Sequence, residues 1–173
     1  MIVVKLAEKL YSEAIAQYEK RKQDMMVQAV PVFKNIKLQQ GSHIDNVIVP
    51  FTDGKRQVQA LANMEKTLQT SGAELLHSLE RTVTLAFIDN AWKEHLRSMD
   101  DLKQSVQTAT YEQKDPLVIY KMEAFELFRK MDGEVNREIV QFLCHAGIPL
   151  AEGDELQEGR QEKTDMSKMS ANK

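Results

Sequence analysis

Between Leu85 and Phe142 the sequence carries two apolar stripes of helical period separated by a short polar stretch, and no other feature narrows the fold as much. The first runs Leu85, Ile88, Trp92, Leu96, Met99, Leu102 and Val106, with gaps of 3, 4, 4, 3, 3 and 4. The second runs Leu117, Tyr120, Ala124, Phe128, Met131, Val135, Ile139 and Phe142, again three and four apart. This spacing puts each set on one face of an α-helix. Two such faces joined by a short connection predict an antiparallel helical hairpin in which each stripe buries the other. Leu85 to Thr108 alone makes a rod of about 35 Å at 1.5 Å per residue. Asp115-Pro116 marks the start of the second helix, with Asp115 as N-cap and Pro116 at the first position, where no amide donor is needed. Gly147-Ile148-Pro149 stops it.

The rest of the chain reads as an N-terminal helix, a small β-hairpin and a polar tail. Val3, Leu6, Leu10, Ala14 and Tyr18 share a helical face, and charged residues such as Lys5, Glu8 and Lys9 cover the outside of a helix over Ile2 to Ala29. Pro31 disfavours its continuation from Val30 onward. The period then changes: Val47-Ile48-Val49-Pro50-Phe51 and Gln57-Val58-Gln59-Ala60-Leu61 flank Thr52-Asp53-Gly54-Lys55. Asp-Gly tolerates the positive φ of a tight type I′ turn, and Pro50, which cannot donate to a ladder, makes its strand an edge. Helical spacing returns at Met64 through Leu68, Leu75, Leu76 and Leu79, with Gly72 as an interruption. From Ala151 to Lys173 the apolar residues fall off any period, and the composition predicts disorder. The fold class is therefore mainly α: a long antiparallel helical hairpin with an N-terminal helix and an inserted β-hairpin.

Composition removes several functional classes. The 23 Lys and Arg against 26 Asp and Glu leave a net charge of -3, without the basic footprint of a nucleic-acid binder. No run approaches the ~18 apolar residues of a membrane span, and Met-Ile-Val-Val followed by Lys5 gives no signal-peptide core, so any membrane role is peripheral. The single cysteine, Cys144, fits a reducing compartment and a buried apolar position.

Catalytic and metal motifs are missing as well. Glu74-Leu75-Leu76-His77 has the Glu-x-x-His spacing of carboxylate-bridged metal bundles, but the residues three before His43, His95 and His145 are Gln40, Trp92 and Phe142, so the second copy such a site needs is not there. Glu94-His95 lacks the second histidine of a zincin. Gly54-Lys55 lacks both the glycine five residues earlier and the Ser or Thr of a phosphate loop. There is no Gly-x-Ser-x-Gly elbow, and Cys144-His145 are sequence neighbours that point about 100° apart on a helix. No catalytic residue, metal or cofactor is expected in this chain. What remains is shape: two helices displaying Thr108 to Lys114, with Tyr111 as a lone aromatic whose large apolar face and hydroxyl suit contact with varied partners.

The strings Ile88-Asp89-Asn90-Ala91-Trp92-Lys93-Glu94-His95-Leu96, Met99-Asp100, Tyr111-Glu112-Gln113-Lys114-Asp115-Pro116 and Tyr120-Lys121-Met122-Glu123-Ala124-Phe125 with Phe128 resemble the C-terminal helical scaffold of the SecA family, the ATP-driven motors of bacterial preprotein translocation. The likeness covers roughly Leu75 to Leu143, and Tyr11 to Met26 resembles more loosely the end of the family's helical wing. The resemblance implies three parts: a wing-like region over 1–72 with the inserted hairpin near 47–61, a scaffold with its two-helix finger over 73–150, and the tail over 151–173.

The resemblance also implies a mechanical role. Tyr111, with Thr110 and Glu112, would sit at a finger tip that contacts the translocating polypeptide in the mouth of the SecYEG channel. Trp92, Leu96, Met99, Tyr120, Phe125 and Phe128 would be the packing residues that keep the finger rigid. Partners would be SecYEG, preproteins, the motor domains and an anionic membrane surface, at the cytoplasmic side of the inner membrane. ATP and magnesium would belong to motor domains whose motifs this sequence lacks, so the chain itself is not expected to be an enzyme. It departs from the family at Thr108-Ala109-Thr110, where Leu-Arg-Gly is common, and at Pro31 to Gly72, which looks inserted. The competing expectation is a free-standing helical adaptor that docks a partner helix through the same hairpin.

Overall fold

In the computed structural model, residues 2–40, 45–108 and 115–149 are described. The order is α1 (Ile2–Gln40), β1 (Asn46–Thr52), β2 (Gln57–Asn63), α2 (Met64–Gln69), α3 (Ala73–Thr108) and α4 (Pro116–His145). At 1.5 Å per residue, the 39 residues of α1, 36 of α3 and 30 of α4 span about 58, 54 and 45 Å. The fold is mainly α with one two-stranded antiparallel sheet, and α3 and α4 pair along their lengths.

α1 corrects the expected stop before Pro31: the helix passes through the proline and ends at Gln40. Proline removes the amide that would bond to the carbonyl of Val27 and costs roughly 3 kcal/mol in a helix interior. Pro31 and Val27 both lie on the exposed side of α1, whereas Met25, Ala29 and Phe33 on the opposite face are buried, Phe33 to 1% exposure. Each large apolar side chain so buried contributes about 1.5–3 kcal/mol, enough together to carry the helix past the proline.

β1 and β2 pair from Asn46↔Asn63 to Thr52↔Gln57. The strict alternation of burial puts Val47, Val49, Phe51, Ala60 and Ala62 on one covered face. The loop corrects the expected two-residue turn, because Asp53 to Arg56 all lie between the strands. The Asp53 carboxylate accepts the amides of Lys55 (2.8 Å) and Arg56 (2.6 Å), and Thr52 Oγ1 accepts the Gly54 amide (3.0 Å) while donating to the Arg56 carbonyl (2.9 Å). These side-chain bonds build a wider loop in which Gly54 alone has positive φ, +88°.

The outer edge of β1 carries one further rung. Thr52 and Gly147 exchange two backbone hydrogen bonds of 2.9 Å, which ties the residues after α4 to the sheet. The rung stands alone among the described residues, and neither Pro50 nor Pro149 has an amide hydrogen with which to add another.

The covered sheet face, the second half of α1 and the start of α3 form the core. Phe33, Val49, Phe51, Leu75, Leu79, Val83 and Phe142 are its most buried large apolar side chains. α2 and α3 meet at a sharp corner in which Ser71 and Gly72 both have positive φ, 53° and 97°. The core therefore grips α3 by its first three turns and α4 by its last, and both helices run outward from it.

Candidate functional site

The outward-running α3–α4 hairpin is the part of the fold that the sequence singles out. At its outer end α3 stops at Thr108 and α4 begins at Pro116, with Asp115 accepting the Leu117 amide at 2.9 Å as N-cap. The expected contact residues Thr110, Tyr111 and Glu112 lie outside the described residues, as does the tail over 151–173, for which disorder is expected.

The seam keeps Met131, Val135, Ile139 and Phe142 of the expected α4 stripe but departs from the expected one along the inner part of α3. Trp92, Leu96, Phe125 and Phe128 are exposed, by 45, 49, 60 and 47%, and Leu85 and Ile88 also face out. Met99 and Tyr120 are half-buried. Turned one position around α3, Phe87, Ala91, His95 and Ser98 face α4 instead; Phe142 closes the seam at the base, and Leu102 and Val106, the last two residues of the expected stripe, are buried toward the outer end. Between these closures a groove of about 570 Å³ is lined by Asn90, Glu94, Ser98, Lys130 and Glu134 among others. The physical reason is that α3 has more than one apolar face. Its α4 side mixes Phe87 and Leu102 with small and polar residues such as Ala91 and Ser98, and the row Leu85, Ile88, Trp92 and Leu96 stays exposed among the described residues. Trp92 still has a ring contact: it lies tilted against His95 with ring centres 5.4 Å apart, and His95 packs edge to face with Phe128 at 6.0 Å.

Two arginines anchor the base of the hairpin. Arg21 of α1 donates to the carbonyls of Ala146 and His145, each at 3.0 Å. Arg56, leaving the β1–β2 loop, lies with Cζ 4.5 Å from the centre of the Phe87 ring and 5.8 Å from that of Phe142, which pack edge to face at 5.6 Å. Its Nη1 donates to Glu138 at 3.0 Å and its Nε to Asp53 at 3.3 Å. Burial pushes the Asp53 carboxyl up, but the amides of Arg56 and Lys55 and the Arg56 guanidinium outweigh it and hold the group below the usual carboxylate range. On the α1 side, Tyr18 donates to Glu80 at 2.9 Å. Burial first, and then Glu80 through its hydrogen bond and charge, push the phenol of Tyr18 well above its ordinary value.

Sequence reading missed Arg21, Arg56, Phe87 and Glu138. Only Phe87 carried a local signal, as an aromatic beside the 3.6-period stripe. Arg56 and Glu138 are 82 positions apart, and no spacing rule joins them. Among the described residues no group of three or more His, Cys, Asp or Glu could hold a metal ion, and no helix is long and apolar enough to cross a membrane.

Against known proteins, residues 1–147 match the SecA Wing and Scaffold domain, and the match takes in the 31–72 stretch. The Protein translocase subunit SecA of Christiangramia forsetii is 44% identical over 160 residues, covering 92% of this chain and 14% of that protein. That of Cytophaga hutchinsonii is 43% identical over 163 residues, covering 94% and 15%, and that of Flavobacterium psychrophilum 39% over 158, covering 91% and 14%. The chain thus spans about one seventh of the length of the curated relatives it matches. No solved structure matches it significantly. With a core that binds wing helix, β-hairpin and scaffold helices into one unit, and with this match over 1–147, the chain belongs to the SecA family and carries its wing and scaffold domain.

Proposed function

We propose that this chain is the mechanical scaffold of a SecA preprotein translocase, holding the motor portions of the protein on one face and presenting the end of the α3–α4 hairpin to the polypeptide being moved. The observation that carries this reading is the open stripe Leu85, Ile88, Trp92 and Leu96 on a 36-residue helix, in a chain that spans 14% of the relatives' length. Exposed apolar rows of this size mark surfaces that another part of a protein covers. The motor domains, with their ATP and magnesium, would cover that row. Tyr111, with Thr110 and Glu112, would touch the translocating chain at the mouth of the SecYEG channel, and the assembly would work at the cytoplasmic face of the inner membrane beside anionic lipid. Catalysis of ATP hydrolysis would belong to the motor domains, and force would reach the polypeptide through α3 and α4.

The test grafts residues 1–147 into the corresponding segment of the Cytophaga relative and places a photo-crosslinking amino acid at position 111 or 92. With a preprotein arrested in transit, position 111 is expected to crosslink to the preprotein or the channel, and position 92 to the motor part of the same molecule. Crosslinks from 92 without any from 111 would remove the contact role. None from 92 would remove the scaffold role.

A further inference from the structure

We propose that Arg56 is the positioning residue that fixes the axial register of α4 along α3, and so sets where the outer end of the hairpin stands. The inference deepens the scaffold reading, on which its consequence for transport rests. The seam has three zones. At the outer end the buried apolar side chains among the described residues are Leu102 and Val106, whose gain from burial is not directional. From the base into the middle runs the groove of about 570 Å³, where the polar Asn90, Ser98 and Glu134 stand beside Leu127, Met131 and Val135 and the two helices leave open space between them. Native cores resist sliding because close-packed side chains interdigitate, and an open groove supplies less of that interdigitation.

At the base the contacts are directional. The Arg56 guanidinium lies on the face of Phe87 from α3 at 4.5 Å and donates to Glu138 of α4 at 3.0 Å, so one rigid planar group touches both helices. Its own direction is fixed by Asp53, whose side chain is 5% exposed and accepts from Nε at 3.3 Å. A shift of α4 by one turn, about 5.4 Å, would break the Glu138 pair and lift Phe142 off Phe87. Lysine could keep the charge without the flat stack or the forked donors. The β-hairpin, to which the sequence assigns no role, thereby gains one beyond its part in the core: it carries the group that indexes the two helices.

The experiment uses the chain itself, in a Cys144→Ser background, with spin labels at Arg97→Cys on α3 and Arg129→Cys on α4, both highly exposed sites. Pulsed dipolar spectroscopy is expected to give one narrow distance distribution for the parent. Arg56→Ala should shift or broaden it by up to about 5 Å at unchanged helix content. Arg56→Lys should fall between the two, and Glu138→Gln should move it less, in the same direction. A lowered melting temperature with the parent distribution intact would overturn the proposal, since Arg56 would then only add stability. Should Arg56→Ala fail to fold, Glu138→Gln decides, and a parent-like distribution there would overturn it equally. The measurement requires no transport activity, so failure here and failure of the crosslinks from position 111 are separate results.

Discussion

The guanidinium of Arg21, halfway along α1, donates from Nε to the carbonyl of Ala146 and from Nη2 to that of His145, each at 3.0 Å. The last carbonyls of a helix have no partner inside it and carry the negative end of its dipole. A fixed cation donating to them closes α4 and ties it to a helix 125 positions earlier in the sequence. One residue further, Gly147 pairs with Thr52. The end of α4 is therefore held by α1 and by β1 at consecutive residues.

Arg21→Ala is expected to lower stability by about 2 kcal/mol, in the range for hydrogen bonds to a charged group. Arg21→Lys should recover less than half, since an ammonium cannot reach both carbonyls in one plane. Urea denaturation measures this; a loss below about 0.5 kcal/mol would show the contact to be a surface decoration.

Gly72 and Gly133 should respond to alanine in opposite directions. Gly72 has φ +97°, and an added Cβ would stand 3.0 Å from Cγ and 3.2 Å from Cβ of Met26 and 3.3 Å from Cγ2 of Val30, all on α1. Strain at positive φ and the forced retreat of α1 together predict a loss of about 2 kcal/mol for Gly72→Ala. Gly133 lies inside α4 with nothing within 4 Å of an added Cβ. Gly133→Ala should gain about 0.5–1 kcal/mol from helix propensity. Equal effects at the two sites would refute the account of the α2–α3 corner.

Trp92 separates what periodicity reveals from what it conceals. A row at Leu85, Ile88, Trp92 and Leu96 announces an apolar face but does not say what covers it, and the structure leaves it open while Phe87, Ala91 and Ser98 meet α4. Trp92→Ala should thus cost this chain only about 1 kcal/mol, whereas Phe142→Ala, at 0% exposure, should cost about 3–5. A loss above about 3 kcal/mol for Trp92→Ala in chemical denaturation would put Trp92 back in the seam.

Other parts of the fold divide along the same line. The two scaffold helices, the strands near 47–61 and the Asp115 cap were legible because each is written in neighbouring residues: a period, an Asp-Gly step, an Asp-Pro start. Pro31 misled because the local rule has a cost of a few kcal/mol that Phe33 and Ala29 repay through contacts distant in sequence. The Asp53 turn misled because a carboxylate accepting two amides selects a wider loop than Asp-Gly alone suggests. Arg21 and Arg56 were invisible for a third reason, since their partners Ala146 and Glu138 become neighbours only once the core has formed. Tyr111, a lone aromatic to which only the family resemblance gives a contact role, lies outside the described residues.

Asp53 gives the hairpin loop a signature in acid. Its carboxyl titrates below the ordinary aspartate range in the folded chain, held there by the Arg56 and Lys55 amides and the Arg56 guanidinium, so the unfolded chain binds the proton more readily. By linkage the resulting stabilisation is complete above the ordinary carboxylate range and is lost as pH falls through the lowered folded value. Asp53→Asn keeps an oxygen for the Lys55 and Arg56 amides but removes the charge facing Arg56. The variant should be less stable than the parent at pH 7, with the difference narrowing steadily below about pH 4 as the parent's own carboxyl protonates. Thermal melts from pH 7 down to about pH 2.5 measure the gap. A gap of constant size across that range would mean that the charge on Asp53 contributes nothing to the loop that positions Arg56.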